Sequence, residues 1–192
     1  MHGSRPFGGM ALAFGVGALM GFLAKYADGV PVLGSIGSAL GIWILMATLI
    51  AAWSRSPEAA VLHVFTFFAA MLGAYYVYSA VQFGFFPTYY FLAWGRVALL
   101  ATLAAYFAWY ARGRGWFAAL CASAPMALLL AEGRSFHYTF HPAAGVSLFS
   151  AALLFLILPR EGRQRLRTIP IVLILFLGID RLPWVYALFG GL

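Results

Sequence analysis

Apolar runs of near-membrane length, separated by short gaps that hold nearly all the charge, dominate this 192-residue chain. Cutting at the gaps leaves seven runs, at 7–24, 33–53, 59–80, 89–110, 116–131, 143–158 and 169–188. Most approach the ~20 apolar residues with which an α-helix crosses a ~30 Å hydrocarbon core. Hydrophobic residues make up 64% of the chain and charged ones 9%, against roughly 45–50% and 25% in soluble domains. A soluble core of this size cannot hide so much apolar surface, whereas lipid can. The runs are also too long and continuous for a barrel, whose strands alternate and last only ~10 residues. The expected fold is all-α, a polytopic transmembrane helix bundle. Seven crossings would use ~140 positions, so residues 1–192 read as a single transmembrane domain.

The cations orient it. Arg5, Arg55, Arg112, Arg114, Arg160, Arg163, Arg165 and Arg167 fall in alternate gaps, while the opposite side carries Lys25, Arg134 and Arg181. By the positive-inside rule the N-terminus is cytoplasmic and the C-terminus outside, in a plasma (inner) membrane. Trp53, Trp109 and Trp116 sit beside the cytoplasmic arginines, where an interfacial aromatic belt belongs. The seventh run is interrupted by Asp180, Arg181 and Pro183. It either spans with a kink or stops partway, and the latter gives six spans. Arg5 ahead of an apolar stretch looks like a signal peptide, but cleavage after Ala27 would place Lys25 where a small residue is required, so the first run is read as a mature helix. The net charge of +7 follows from cationic loops beside a membrane and does not point to nucleic acid. Cys121 is the lone cysteine and cannot form an internal disulfide.

Helices in lipid associate through small residues. Ala13, Gly17 and Gly21 recur every fourth residue in the first run, and Gly37 and Gly41 repeat the spacing in the second. The stripe serves either packing within the chain or a helix-packing partner that docks through Ala13, Gly17 and Gly21.

Ionisable groups at membrane depth are costly and mark sites by default. The outer half collects Lys25, Asp28, Arg96, Glu132, Arg134, Asp180 and Arg181, whose charges nearly balance. Arg96 lies seven residues into the fourth run, about 10 Å down a helix at ~1.5 Å per residue. Flanked by Phe91, Leu92, Val97 and Leu99, it is expected to face the bundle interior and to meet Glu132, Asp180 or a bound anion. Lys25 and Asp28 read as interfacial. The fifth and sixth runs are the shortest, and Pro125 interrupts the fifth; broken segments of this kind often line a cavity. Between them stand His137 and His141, four residues apart. One helical turn would put both on one face, but no cysteine or close carboxylate completes a metal ligand set. The expected ligand-binding residues are therefore Arg96, Glu132, His137, His141, Asp180 and Arg181, around an outward cavity between the fourth, fifth and seventh runs. The gap at 82–91 is uncharged and rich in rings, with Tyr26, Phe136 and Tyr138 on the same side. It forms either an aromatic lid or an interfacial belt.

Catalytic signatures are missing: no Gly-x-Ser-x-Gly, no His-Glu-x-x-His and no phosphate-binding loop occurs. No cofactor is specified. A small bundle, an outward polar cluster and a small-residue face on the first helix fit the binding or transport of a small solute. A non-catalytic scaffold or assembly partner is the competing expectation, and an intramembrane enzyme the third. With Ala13, Gly17 and Gly21 on its first helix, the chain resembles the substrate-binding membrane subunits of energy-coupling factor transporters. That resemblance implies six spans, a bound solute and docking through those small residues. The stretch 37–133, with Trp43, Ser54-Arg55-Ser56-Pro57 and Ala74-Tyr75-Tyr76, is similar to small bacterial membrane proteins of uncharacterised activity.

Overall fold

The computed structural model describes residues 6–181, and all regular structure among them is helical. In chain order the helices are α1 (Pro6–Ala27), α2 (Pro31–Ser38), α3 (Leu40–Ala52), α4 (Pro57–Phe83), α5 (Thr88–Ala108), α6 (Trp116–Gly133), the single turn α7 (Phe136–Thr139), α8 (Pro142–Ile157) and α9 (Gly162–Asp180); a 3-10 turn over Trp109–Arg112 ends α5. Local chemistry sets the boundaries. Ser56 caps α4 by accepting the Ala59 N–H at 3.1 Å, Pro57 occupies the first turn and Glu58 faces the positive end of the helix. Gly84 then ends α4 at φ 64°, a conformation that glycine adopts without strain.

Among the described residues four helices are long and apolar enough to cross a membrane: Gly8–Ala27, Pro57–Phe83, Thr88–Arg112 and Trp116–Thr139. A fifth arises if α2 and α3, bent by 52° at their junction, count as one crossing. Over their described residues the sixth and seventh runs fall short. At 16 residues, α8 reaches about 24 Å at ~1.5 Å per residue. The first turns of α9 carry Arg163, Arg165 and Arg167, so its apolar part begins only at Thr168. Part of the seventh run, from residue 182 on, lies outside the described residues. Pro125 does not interrupt α6, which runs through it to Gly133.

Two pairs of helices run parallel, and their register shows it. Along α1, Gly9 faces His63, Gly17 the Phe67 backbone and Gly21 the Met71 backbone, so α1 and α4 advance together. Gln164 Nε2 donates to the Gly115 carbonyl at 2.9 Å and Ser123 Oγ to Thr168 O at 3.3 Å, so α6 and α9 do the same. Between the pairs stands α3. Trp43, Ala47 and Ala51 join a core with α1, α4 and α5, while Leu45 and Ala52 join a second with α6, α8 and α9. The outer faces stay apolar, with Leu12, Val81, Leu103 and Ile174 among the exposed side chains.

The small-residue stripe of α1 is taken up by α4. A Cβ at Gly17 or Gly21 would sit 2.2 or 2.1 Å from the Phe67 or Met71 carbonyl oxygen. Ala13 is buried beside them. Close approach of two backbones covers this face, which is the first of the two readings of the stripe, packing within the chain. Gly37 and Gly41 do not share a face, because the bend at Ala39 lies between them: Gly37 approaches Ala24, and Gly41 approaches Ser147 and Glu132.

The gaps read as one side of the membrane also meet in space. Trp109 Nε1 donates to Ser54 O at 2.8 Å, the Arg112 guanidinium lies 3.8 Å over the Trp53 ring, and Arg114 pairs with Glu161 at 2.8 Å. This cationic end is opposite the end where α1 and α4 finish.

Candidate functional site

The α2–α3 bend leaves backbone groups without helical partners, and tertiary contacts satisfy them. Ala39 is extended (φ −77°, ψ 142°) and offers no side-chain cap. The Trp43 indole N–H donates to the freed Gly37 carbonyl at 2.9 Å, and Ser38 Oγ donates to Gly34 O at 2.9 Å. On the other side of the bend, the N–H groups of Leu40 and Gly41 hydrogen-bond the Glu132 carboxylate from α6, which also accepts from Ser147 Oγ at 3.0 Å. A carboxylate at a helix N-terminus both fills orphan donors and opposes the helix dipole.

Next to the bend, where α1 and α4 end and α5 begins, lies a cavity of about 590 Å³. Its volume falls in the ~300–1,000 Å³ range of small-molecule sites. Buried Tyr76 and Ser79 and half-buried Trp94 line its inner part; Phe83, Phe85 and Tyr90, each more than half exposed, line its rim. A smaller hollow of about 40 Å³ shares Ser38, Tyr75, Tyr76 and Trp94 with it and reaches Asp28 and Trp43. Rings hold one another at this end: Tyr76 meets Tyr75, Phe91 and Phe86 with centroids 4.9, 5.3 and 5.7 Å away.

Three polar side chains, from the end of α1, the turn after it and α4, form one unit at the wall. Lys25 Nζ is 3.0 Å from Asp28 Oδ2, and Tyr75 donates to the same oxygen at 2.5 Å. The ammonium also lies over the Tyr75 and Phe83 rings, 4.9 and 5.2 Å from their centroids. Tyr76 is 2% exposed, lines both hollows, and its hydroxyl makes no hydrogen bond to another described residue. The chamber thus offers stacking surfaces, a charge-paired cation and a free phenol.

The residues picked from sequence do not assemble. Arg96 is exposed on the outer side of α5, in an apolar groove against Phe65, Phe68 and Ala69 of α4. It does not turn inward, because the interior face of α5 is held by Ala98, Thr102 and Ala105. Glu132 lies across the bundle, capping α3. His137 belongs to α7 and His141 precedes α8; Phe140, left-handed at φ 48°, breaks the chain between them, so the expected shared helical face is absent. Both histidines are exposed, and among the described residues no group of three His, Cys, Asp or Glu is placed to hold a metal. Arg181 is exposed just past α9. Asp180 ends that helix, and its side chain lies outside the described residues. The aromatic cavity lies between α1, α2, α4 and α5; α5 and α6 line another, apolar and of about 480 Å³, with α3 rather than α9 as its third wall. Phe83, Phe85 and Tyr90 of the 82–91 gap line the aromatic one, whereas Tyr26 and Tyr138 stay exposed.

The class defined so far is an all-helical chain with four membrane-length apolar helices, a central broken one that makes a fifth if it counts as one crossing, and an aromatic chamber at one end. Over residues 2–188 it matches the model of a family of unknown function (DUF6518), and the chain belongs to that family. No curated protein and no solved structure matches it.

Proposed function

We propose that this is a multi-pass protein of the plasma membrane that binds or transports a small ring-bearing solute in the aromatic chamber. Its N-terminus is cytoplasmic, α8 and α9 complete seven passes with the shorter crossings, and the chamber opens outward. The observation that carries this reading is the convergence of Lys25, Tyr75 and Tyr76 on a cavity walled by rings, with Asp28 in the adjoining hollow paired to the first two and the Tyr76 hydroxyl without a hydrogen bond among the described residues. Sites of this kind take affinity from apolar stacking and selectivity from a few placed polar groups. The orientation is supported by the meeting of the arginine-rich gaps at the opposite end. A broken helix beside the cavity fits a solute pathway, since irregular backbone at membrane depth is tolerated where it lines a cavity. A binding subunit that draws energy from a partner is the form the sequence resemblance suggests.

Small molecules released from the purified protein, identified by mass spectrometry, test the proposal. A ring-bearing solute should be retained by the unmodified chain and bind about ten- to a hundredfold more weakly after Asp28→Ala or Tyr76→Phe, the loss expected for a buried hydrogen bond that carries specificity. Equal retention by both variants would overturn the assignment.

A further inference from the structure

At the opposite, cationic end, Arg112, Arg114, Arg160, Glu161 and Gln164 surround a cleft of about 350 Å³. We propose that this cleft is a phosphate-anion site. Three cations face one carboxylate there, and Glu161 is already paired with Arg114, which leaves a positive excess that a phosphate dianion would balance. Arg112 and Arg160 are close enough for their like charges to act on each other, and Arg160 makes no hydrogen bond or ion pair among the described residues. The Arg112 guanidinium lies 3.8 Å over the Trp53 ring, with its Nε buried and without a hydrogen-bond partner among the described residues. Unpaired buried donors are rare in native structures and commonly mark an unseen water or ion.

The backbone adds to this field. Because α6 and α9 run parallel, both positive ends come to the same place, and neither Gly115 nor Glu161, their N-cap residues, supplies a side-chain cap. Two uncapped helix N-termini favour an anion, and planar guanidinium groups suit phosphate oxygens. Gln164, 4% exposed, ties the two helix starts together through its bond to Gly115 O. The phosphate belongs either to an anionic lipid headgroup or to a soluble phosphate. The neighbouring Trp53 and Trp116, both exposed, put the cleft at headgroup level.

The full chain in nanodiscs distinguishes the sources. Melting temperature is compared in phosphatidylcholine alone, in phosphatidylcholine doped with phosphatidylglycerol, and in phosphatidylcholine with inorganic phosphate at matched ionic strength. A rise of several degrees with phosphatidylglycerol only assigns the lipid headgroup, and a rise with inorganic phosphate assigns the soluble anion. In either case Arg112→Gln and Arg160→Gln should weaken the response about tenfold in apparent affinity, while Arg163→Gln, an exposed cation outside the cleft, should not. Arg160→Gln removes no described contact, so it reads the site even if Arg112→Gln fails to fold. No rise with either anion, or an equal loss in Arg163→Gln, would overturn the proposal in favour of diffuse surface charge. The readout does not involve the chamber, so it stands or falls apart from solute binding.

Discussion

Gly17→Leu and Gly21→Leu should each destabilise the bundle by about 1–3 kcal/mol, at the upper end of that range for overpacked sites. The reason is what the new side chain meets. At both positions even a Cβ would press on a backbone carbonyl of α4, 2.2 and 2.1 Å away; a flexible side chain could swing aside, but a helix backbone cannot. The clash can be relieved only by moving α1 off α4, which forfeits the close contact on which helix association in lipid depends. Gly8 and Gly15 provide the control, since no atom lies within 4 Å of a Cβ at either. Thermal unfolding in detergent, followed by tryptophan fluorescence, should show Gly15→Leu near the parent melting temperature and Gly21→Leu well below it. Equal melting temperatures for the two would refute the parallel α1–α4 packing. Because Lys25 at the end of α1 and Asp28 just past it meet Tyr75 on α4, the proposed solute binding should be lost along with stability.

The same pair of helices shows how much the sequence revealed. The four-residue spacing of Ala13, Gly17 and Gly21 made a close-packing face legible, because spacing is a property of one helix. Which neighbour occupies that face is not, and α4 turned out to be the occupant. Arg96 failed for a related reason. Phe91, Leu92, Val97 and Leu99 flank it in sequence, yet neighbours in sequence point all round a helix and say nothing of which way the arginine faces. Lys25 and Asp28, three residues apart near the end of a run, looked like an interfacial pair; their third partner, Tyr75, is 47 residues from Asp28 and carries no local signal. The bend at Ala39 had a weak one. Gly34-Ser35-Ile36-Gly37-Ser38 is rich in residues that favour breaks, but the apolar run continues through it and hides the change of direction. The cationic gaps were legible as one end of the bundle because counting charges needs no geometry, whereas a cleft among Arg112, Arg114 and Arg160 exists only once α6 and α9 lie parallel.

Glu132→Ala should cost about 2–3 kcal/mol, more than an ordinary helix cap. In water, an N-cap lost by mutation is partly replaced by solvent. Between α3, α6 and α8 there is little solvent to do so: Gly41 and Ser147 are buried, and Leu40 is half-buried. Removing the carboxylate leaves the Leu40 and Gly41 N–H groups short of an acceptor at once, while the Ser147 hydroxyl still has the Ala143 carbonyl, and unsatisfied polar groups away from water cost the most. Glu132→Gln keeps an acceptor oxygen but loses the charge that opposes the α3 dipole, so it should recover part of the loss. Ser147→Ala removes a single donor, whose proton also has the Ala143 carbonyl at 3.1 Å as an alternative acceptor, and should cost no more than about 1 kcal/mol. The order Ala, then Gln, then the Ser147 variant separates capping from simple loss of volume, because glutamine fills the space that glutamate did. Hydrogen exchange read by mass spectrometry gives the local test. The amides of Leu40 and Gly41 should exchange faster in Glu132→Ala while those in the middle of α4 keep their protection. Unchanged exchange at the start of α3 would mean that the broken helix is held at its bend by something other than Glu132.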